Sequence, residues 1–129
     1  ELGLIGSRRY VRGLEPEQRD EIAAYLNLDM VGSPEPAQGV YSDADPGIER
    51  LLRRLVGPSA EEENAGGNSD HAPFQRAGIP VGGLFTGAGR PHDPCYHRAC
   101  DDIDNVDMPI LETMTRAAGE AVERLSARN

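Results

Sequence analysis

Residues 25–32 read YLNLDMVG. Polar and apolar residues alternate along this stretch, which predicts a β-strand over 25–31 that ends at the turn residues 32–34. Asp29 lies near the carboxyl end of this strand, where a carboxylate costs free energy unless it is paired or bound to a cation. In an open α/β sheet this position faces the ligand cleft, so Asp29 is a candidate binding residue. The alternative is that Asp29 only marks where the strand emerges into solvent.

On either side of this strand, helical and extended patterns alternate. Asp45-Pro46 predicts a helix start, because an N-cap residue precedes proline at the first helical position. One apolar face follows at helical spacing, formed by Ile48, Leu51, Leu52 and Leu55. Further strands are predicted at 40–42 and 79–85, and a final helix begins near 107–109. The pattern predicts an α/β sandwich without an internal repeat or domain boundary, so residues 1–129 form one unit.

Four weaker local predictions complete the outline. Ser7 is expected to cap a helix over 8–12. An exposed helical turn is expected around Pro16. Residues 58–68 are acidic and rich in glycine, which predicts a loop. Ser69 is expected to cap a short helix that runs to Arg76.

The charge of the chain limits its partners. It carries 22 acidic and 13 basic residues, a net charge of −9, and every basic residue is arginine. A phosphate backbone is repelled by such a surface, so nucleic-acid binding is not expected. The longest uncharged apolar stretch, around 79–88, is too short to cross a bilayer, so no membrane span is expected.

The only two cysteines are Cys95 and Cys100. They can form a disulfide, bind a metal or stay reduced. No second pair of ligands at similar spacing is available for a zinc knuckle, which favours a disulfide and an oxidising compartment. His97 lies between them and is either a rigidly held ligand or base, or an incidental surface residue.

A third candidate segment is SDHAPF at 69–74, followed by GIPVGGLFTG at 78–87. Asp70 and His71 are either ligands or the first residues of a structural helix turn. The glycines at 82 and 83 allow a bulky group or a substrate to approach the backbone closely.

Taken together, residues 1–7, 27–32, 69–74, 78–87 and 95–100 occur in the order seen in one known family. The chain closely resembles the C-terminal half of bacterial secreted two-zinc leucine aminopeptidases of the streptomycete type. The resemblance implies a mixed sheet flanked by helices, the C-terminal part of the α/β/α sandwich of zinc exopeptidases. It also implies a secreted hydrolase with two zinc ions that removes N-terminal, apolar residues from peptide substrates.

The same resemblance implies roles for individual residues. Glu1, Asp29 and His97 are expected to bind zinc, with Glu1 and His97 sharing one ion. Tyr96 is expected to donate a hydrogen bond to the developing oxyanion. Substrate contacts are expected from Gly67, Asn68 and Phe85, and a disulfide from Cys95 and Cys100.

The resemblance also implies residues that this sequence lacks. The family's His-x-Asp segment and its general-base glutamate belong before Glu1. We therefore expect the chain alone to be inactive and to require the upstream half of the catalytic domain as a partner. A sheet divided at this point leaves an edge strand, which predicts self-association.

Two other functions fit the same residues. A glutaminyl-cyclase-like transferase has the same overall fold and uses one zinc ion. A non-catalytic fragment that serves in binding or assembly is the other alternative. The Cys-Tyr-His-x-x-Cys segment and Phe85-Thr86-Gly87 fit the aminopeptidase better.

Overall fold

Four short strands form one mixed sheet whose order differs from their order in the chain. The computed structural model describes residues 3–127, and within them the strands are β1 (Tyr25–Leu28), β2 (Gly39–Tyr41), β3 (Glu61–Glu63) and β4 (Val81–Phe85). The sheet order is β1-β4-β2-β3. β1 runs parallel to β4, β2 runs antiparallel to β4, and β3 runs parallel to β2. The expected mixed sheet is confirmed.

Helices cover both faces of this sheet. They are α1 (Ile5–Arg12), α2 (Pro16–Asp20), α3 (Pro46–Val56), α4 (His71–Arg76) and α5 (Met108–Ser126), with a short 3₁₀ turn at Ile103–Asn105. The Asp45 side chain accepts hydrogen bonds from the first-turn amides of α3, and Asp107 accepts one from Ile110 N of α5. Proline follows within the first two positions of both helices. Both predicted helices are therefore confirmed, together with the cap predicted at Asp45; the cap at Asp107 was not predicted.

The apolar core lies on both faces of the sheet. On one face, α3 and α5 bury their apolar sides against β2 and β4, in a cluster that includes Val40, Leu52, Leu84 and Met114. On the other face, Phe74 of α4 packs with Val11 of α1 and Val81 of β4. Each of these larger side chains contributes about 1.5–3 kcal/mol by leaving water. Helices on two faces of one sheet make the α/β/α sandwich that the sequence predicts.

Three local predictions were wrong. Ser7 does not cap α1, because the helix begins at Ile5 and the Ser7 hydroxyl bonds to Leu4 O and to Asp70. β1 ends at Leu28 rather than at residue 31, because Met30 adopts a φ of 51°, which turns the chain out of the strand. Within the expected loop 58–68, Glu61–Glu63 forms β3.

The α4 prediction was partly right. A helix does end at Arg76, but it begins at His71. Ser69 does not cap it, since the Ser69 hydroxyl donates to the Asp29 carboxylate instead, at 2.6 Å. A side chain that sequence reasoning assigns to a local role is therefore used for a contact 40 residues away.

Two glycines in β4 allow neighbours to approach the sheet closely. A Cβ atom at Gly82 would lie 2.3 Å from Ile48 Cγ2 of α3. A Cβ atom at Gly83, on the opposite face, would lie 2.3 Å from the Tyr41 ring. The missing side chains let α3 and the Tyr41 ring pack directly on the strand, as the sequence predicts for these positions.

The two edges of the sheet differ in character. β3 is three residues long and entirely acidic, which disfavours pairing with another chain. At the other edge, β1 pairs with β4, and no strand from residues 3–127 covers its outer side. Leu28 in that strand is 50% exposed. Self-association through this edge stays a prediction.

No helix in the described part of the chain combines the length and the apolar character that crossing a membrane requires.

The packing around Gly83 predicts a stability change. Gly83→Ala would force a Cβ atom into the rigid, buried Tyr41 ring, and we expect a loss of about 1–3 kcal/mol in the free energy of unfolding. Gly119→Ala is the control, because an added Cβ in α5 meets no atom within 4 Å. That variant should gain about 0.5–1 kcal/mol from helix propensity. Urea unfolding measures both changes, and equal stabilities for the two variants would contradict this packing.

Candidate active site

Asp29 lies directly after β1, at the carboxyl end of the strand. Its backbone N–H donates to Leu84 O at 3.4 Å, and its carboxylate accepts the Ser69 hydroxyl hydrogen bond. The side chain lines a cavity of about 890 Å³. Asp29 therefore faces a cleft at the strand end, and the simpler interpretation as a strand terminus in open solvent is not supported.

A buried hydrogen-bond network holds the partner of Asp29 in place. Asn27, two residues earlier in β1 and 5% exposed, donates from Nδ2 to Ser69 Oγ at 2.8 Å and to the Tyr41 hydroxyl at 3.0 Å. The Tyr25 hydroxyl donates to Asn27 Oδ1 at 3.3 Å. Buried polar groups are stable when they are bonded in this way. The network fixes Ser69, and through Ser69 the orientation of the Asp29 carboxylate.

Sequence reasoning missed the two central members of this network. Asn27 and Tyr41 gave only a weak signal, a polar residue at an inward position of a strand and an aromatic residue in another strand. Their pairing depends on β1 and β2 both flanking β4, and the sheet order is not readable from local patterns. Gly83 between them leaves the space that the Tyr41 ring occupies.

The environment of both network tyrosines favours the neutral phenol. Burial raises the pKa of Tyr41 above its usual value of 10.0, and the Asp29 and Asp43 carboxylates raise it further, against hydrogen bonds with Asn27 and Ser69 that lower it. Burial also raises the pKa of Tyr25, with additional contributions from Asp70 and Asp29. Both hydroxyls therefore stay protonated to a higher pH than the hydroxyl of a solvent-exposed tyrosine.

The second half of the site is the loop closed by Cys95 and Cys100. The two form a disulfide with a Cα–Cα distance of 5.3 Å, so the sequence prediction is confirmed. Between them, the rings of Tyr96 and His97 stack with centroids 3.9 Å apart, and His97 has a φ of 58°. A disulfide across five residues restricts the directions in which these two side chains can point.

A buried carboxylate anchors this loop to the rest of the chain. Asp93 is 2% exposed, and its Oδ1 accepts from Cys95 N at 2.9 Å and from Asn105 Nδ2 at 3.0 Å. Asn105 also donates to Asp101 Oδ1 at 3.3 Å. The start and the end of the disulfide loop are thus joined through one amide side chain.

The structure brings most of the predicted site residues together. Asp29, Tyr96, His97, Gly67 and Asn68 all line the cavity of about 890 Å³. A second cavity of about 310 Å³ adjoins it and shares Asp29, Tyr96 and Asn68 with it, and Phe85 is part of its wall. The predicted zinc ligand Glu1 lies outside the described residues.

Asp70 and His71, the other two candidate ligands, lie in different environments in the structure. Asp70 lines the larger cavity and accepts the Ser7 hydroxyl at 2.6 Å. His71 is fully buried, with its ring 4.8 Å from the Tyr41 ring and its Nε2 3.5 Å from Asp43 Oδ2. The position of His71 supports the structural interpretation of that residue.

Within residues 3–127, no three His, Cys, Asp or Glu side chains are grouped as a metal site would require. Asp29 and His97 nevertheless suit a zinc ion chemically, since zinc prefers carboxylate oxygen and imidazole nitrogen. The Ser69 hydroxyl orients the carboxylate in the manner of a group that supports a metal ligand. The residues present therefore fit part of a metal site.

The candidate site thus combines a cleft at strand ends, a carboxylate and an imidazole on its wall, and a tyrosine held by a disulfide loop. The chain belongs to peptidase family M28, whose family model matches residues 1–122. The resemblance found in the sequence is thereby confirmed.

Individual relatives agree with the family. Leupeptin-inactivating enzyme 1 of Streptomyces exfoliatus is 41% identical over 147 residues, which cover 98% of this chain and 33% of that protein. BSAP, a zinc aminopeptidase from Bacillus subtilis, has a similar structure with a TM-score of 0.81 and 29% identity, over 96% of this chain and 33% of that one. This chain thus spans about a third of the length of these relatives.

A glutaminyl cyclase from an Acidobacteriales bacterium also has a similar structure, with a TM-score of 0.80. Its identity is 18%, over 98% of this chain and 47% of that one. At this identity the likeness shows a common fold alone.

The raised pKa of Tyr41 predicts how stability depends on pH. Because the folded-state pKa exceeds that of the unfolded chain, the stabilising contribution is complete below pH 10 and is lost as pH rises through the folded-state pKa. Each such tyrosine contributes a slope of up to about 1.4 kcal/mol per pH unit in that window. We expect Tyr41→Phe to flatten the fall in unfolding free energy above pH 10, as measured by urea unfolding at several pH values.

The chain contains no lysine, whose titration would otherwise overlap with that of tyrosine. Tyr25→Phe should flatten the remaining slope in the same direction. If the parent and Tyr41→Phe lose stability equally fast between pH 10 and 12, the pKa of Tyr41 is not raised in the folded protein.

Proposed function

We propose that this chain forms the C-terminal part of the catalytic site of a zinc-dependent aminopeptidase. The observation that carries the proposal is that Asp29, Tyr96 and His97 line the same cavity of about 890 Å³ at the end of β1, in a chain of peptidase family M28. The substrate is the N-terminal end of a peptide. The disulfide supports a location in an oxidising compartment, and we propose a secreted protein.

In this proposal Asp29 and His97 are zinc ligands, and Glu1 joins His97 at one of two ions. Zinc supplies a Lewis acid for the scissile carbonyl and a water of lowered pKa. Ser69 holds the Asp29 carboxylate in one orientation through its hydroxyl, and the buried Asn27–Tyr41 pair keeps Ser69 in place. Orientation of a ligand by such a neighbour strengthens metal affinity, in measured cases by about 10–100-fold.

The proposed role of Tyr96 is to donate its hydroxyl hydrogen bond to the carbonyl oxygen as negative charge develops there. The disulfide and the Asp93 anchor hold the loop that carries Tyr96, so little reorganisation is needed when the substrate reacts. Gly67, Asn68 and Phe85 form walls against which the substrate is positioned. Asp29 also contributes to attraction of the free α-amino group, through its negative charge.

The proposal assigns the remaining ligands and the general base to residues upstream of Glu1. The test is hydrolysis of leucine-p-nitroanilide with added zinc, by residues 1–129 and by a longer protein that includes the upstream part. We expect hydrolysis by the longer protein and none by residues 1–129 alone. Efficient hydrolysis by residues 1–129 would contradict the proposal that part of the catalytic site lies upstream of Glu1. Absence of hydrolysis by both proteins would contradict the aminopeptidase function.

The same samples test the alternative functions. Cyclisation of an N-terminal glutamine without release of leucine would favour the glutaminyl-cyclase-like transferase. Absence of both reactions in the longer protein would favour a non-catalytic role.

The role of Tyr96 gives a sharper prediction for the longer protein. We expect Tyr96→Phe to lower kcat by about 10²–10³-fold and to leave KM nearly unchanged, because the hydrogen bond forms mainly in the transition state. Tyr10→Phe is the matched control, since Tyr10 is an exposed residue of α1 and does not line either cavity. A rise in KM at constant kcat would show that Tyr96 only binds substrate.

A further inference from the structure

The smaller cavity has an acidic residue, Glu63, on its wall that does not line the larger cavity. It has a volume of about 310 Å³ and shares Asp29 and Tyr96 with the larger cavity, so a side chain next to the reacting bond can enter it. Among residues 3–127, no arginine lines it, and the acidic residues on its wall are Asp29 and Glu63. The Asp29 carboxylate already accepts the Ser69 hydroxyl. Glu63 is therefore the residue that distinguishes this cavity electrostatically.

The backbone and stem of Glu63 are well fixed. It is the last residue of β3, partly buried, and its register partner in β2 is Tyr41. Its carbonyl accepts from Ser42 N at 2.8 Å and from Ser42 Oγ at 3.2 Å. A Cβ atom at Gly39 would lie 3.1 Å from Glu63 Cβ, so the glycine leaves the space that the glutamate stem uses.

The carboxylate of Glu63 has no partner among the described residues. None of the side chains in residues 3–127 forms an ion pair with it or donates a hydrogen bond to it. The preceding residue behaves differently, because Glu62 is paired with Arg53 at 3.2 Å and its side chain is 75% exposed. An incoming cation would supply the partner that the Glu63 carboxylate lacks among residues 3–127. The net charge of −9 adds to the attraction.

The remaining walls of the cavity suit an alkyl chain. Met30, Phe85, Ala65 and Ala88 present apolar surface to it. Lysine and arginine bury their methylene stems on such surface and keep their charged heads near a polar group. The apolar wall predicted at Phe85 is thus compatible with a cationic residue as well as with leucine.

We propose that Glu63 is a specificity-determining residue that selects peptides with N-terminal lysine or arginine. The proposal rests on the aminopeptidase function proposed above. The apolar walls hold the stem of the substrate side chain, and the Glu63 carboxylate pairs with its charged end. Leucine remains a substrate, but it leaves the carboxylate unpaired in a site from which it has displaced water.

The test compares two substrates that differ in the terminal ammonium group, lysine-p-nitroanilide and norleucine-p-nitroanilide, with the longer protein. We expect kcat/KM to be higher for lysine, and we expect Glu63→Gln to lower the lysine-to-norleucine ratio by about five- to tenfold, the size of one ion pair. Glu62→Gln is the matched control, because it removes the same charge one residue away outside the cavity. It should leave the ratio unchanged.

The outcomes separate the two proposals. Hydrolysis of norleucine-p-nitroanilide by Glu63→Gln at or above the parent rate shows that the variant is folded. A parent protein that prefers norleucine, or a ratio that Glu63→Gln and Glu62→Gln change equally, overturns the role of Glu63 and leaves the aminopeptidase function standing. Hydrolysis of neither substrate by the parent overturns both.

Discussion

The hydrogen bond from Ser69 Oγ to the Asp29 carboxylate connects two segments that lie 40 residues apart in the chain. Asp29 directly follows β1, and Ser69 precedes α4, so the bond connects the sheet with the helix layer on one of its faces. Asn27 and Tyr41 complete a buried polar chain beneath it. Each member of such a network satisfies another, and removal of any one leaves a buried group without a partner. The position of the Asp29 carboxylate therefore depends on the pairing of β1, β4 and β2, which brings the members of this network together.

A second constraint acts on the opposite wall of the cleft. The loop that carries Tyr96 and His97 has no regular secondary structure between Cys95 and Cys100. Its backbone is therefore not held by helix or strand hydrogen bonds and depends on other restraints. The disulfide supplies one, and the buried Asp93 carboxylate supplies another through Cys95 N and Asn105. The cleft thus has one wall fixed by strand pairing and one fixed by covalent and polar cross-links. Such rigid support is what precise positioning of reacting groups requires.

Local sequence patterns were sufficient to predict part of the fold. The caps Asp45 and Asp107 act within their own helices, so α3 and α5 could be predicted closely. The likeness to a known family identified Asp29, Tyr96 and His97, which do line one cavity. β3 was missed because three consecutive glutamates show no alternation. Ser69 and Asn27 were missed as network residues because their partners are distant in the chain, and the strand order that brings them together has no local signal.

We propose that Asp29 and His97 each hold one of two zinc ions in this cleft. Anomalous diffraction at the zinc absorption edge, from crystals of the longer protein grown with zinc, tests it most directly. We expect anomalous density inside the cavity, at one position in contact with the Asp29 carboxylate and at a second in contact with the His97 imidazole. Crystals that contain zinc but show no anomalous density in contact with either side chain would contradict it.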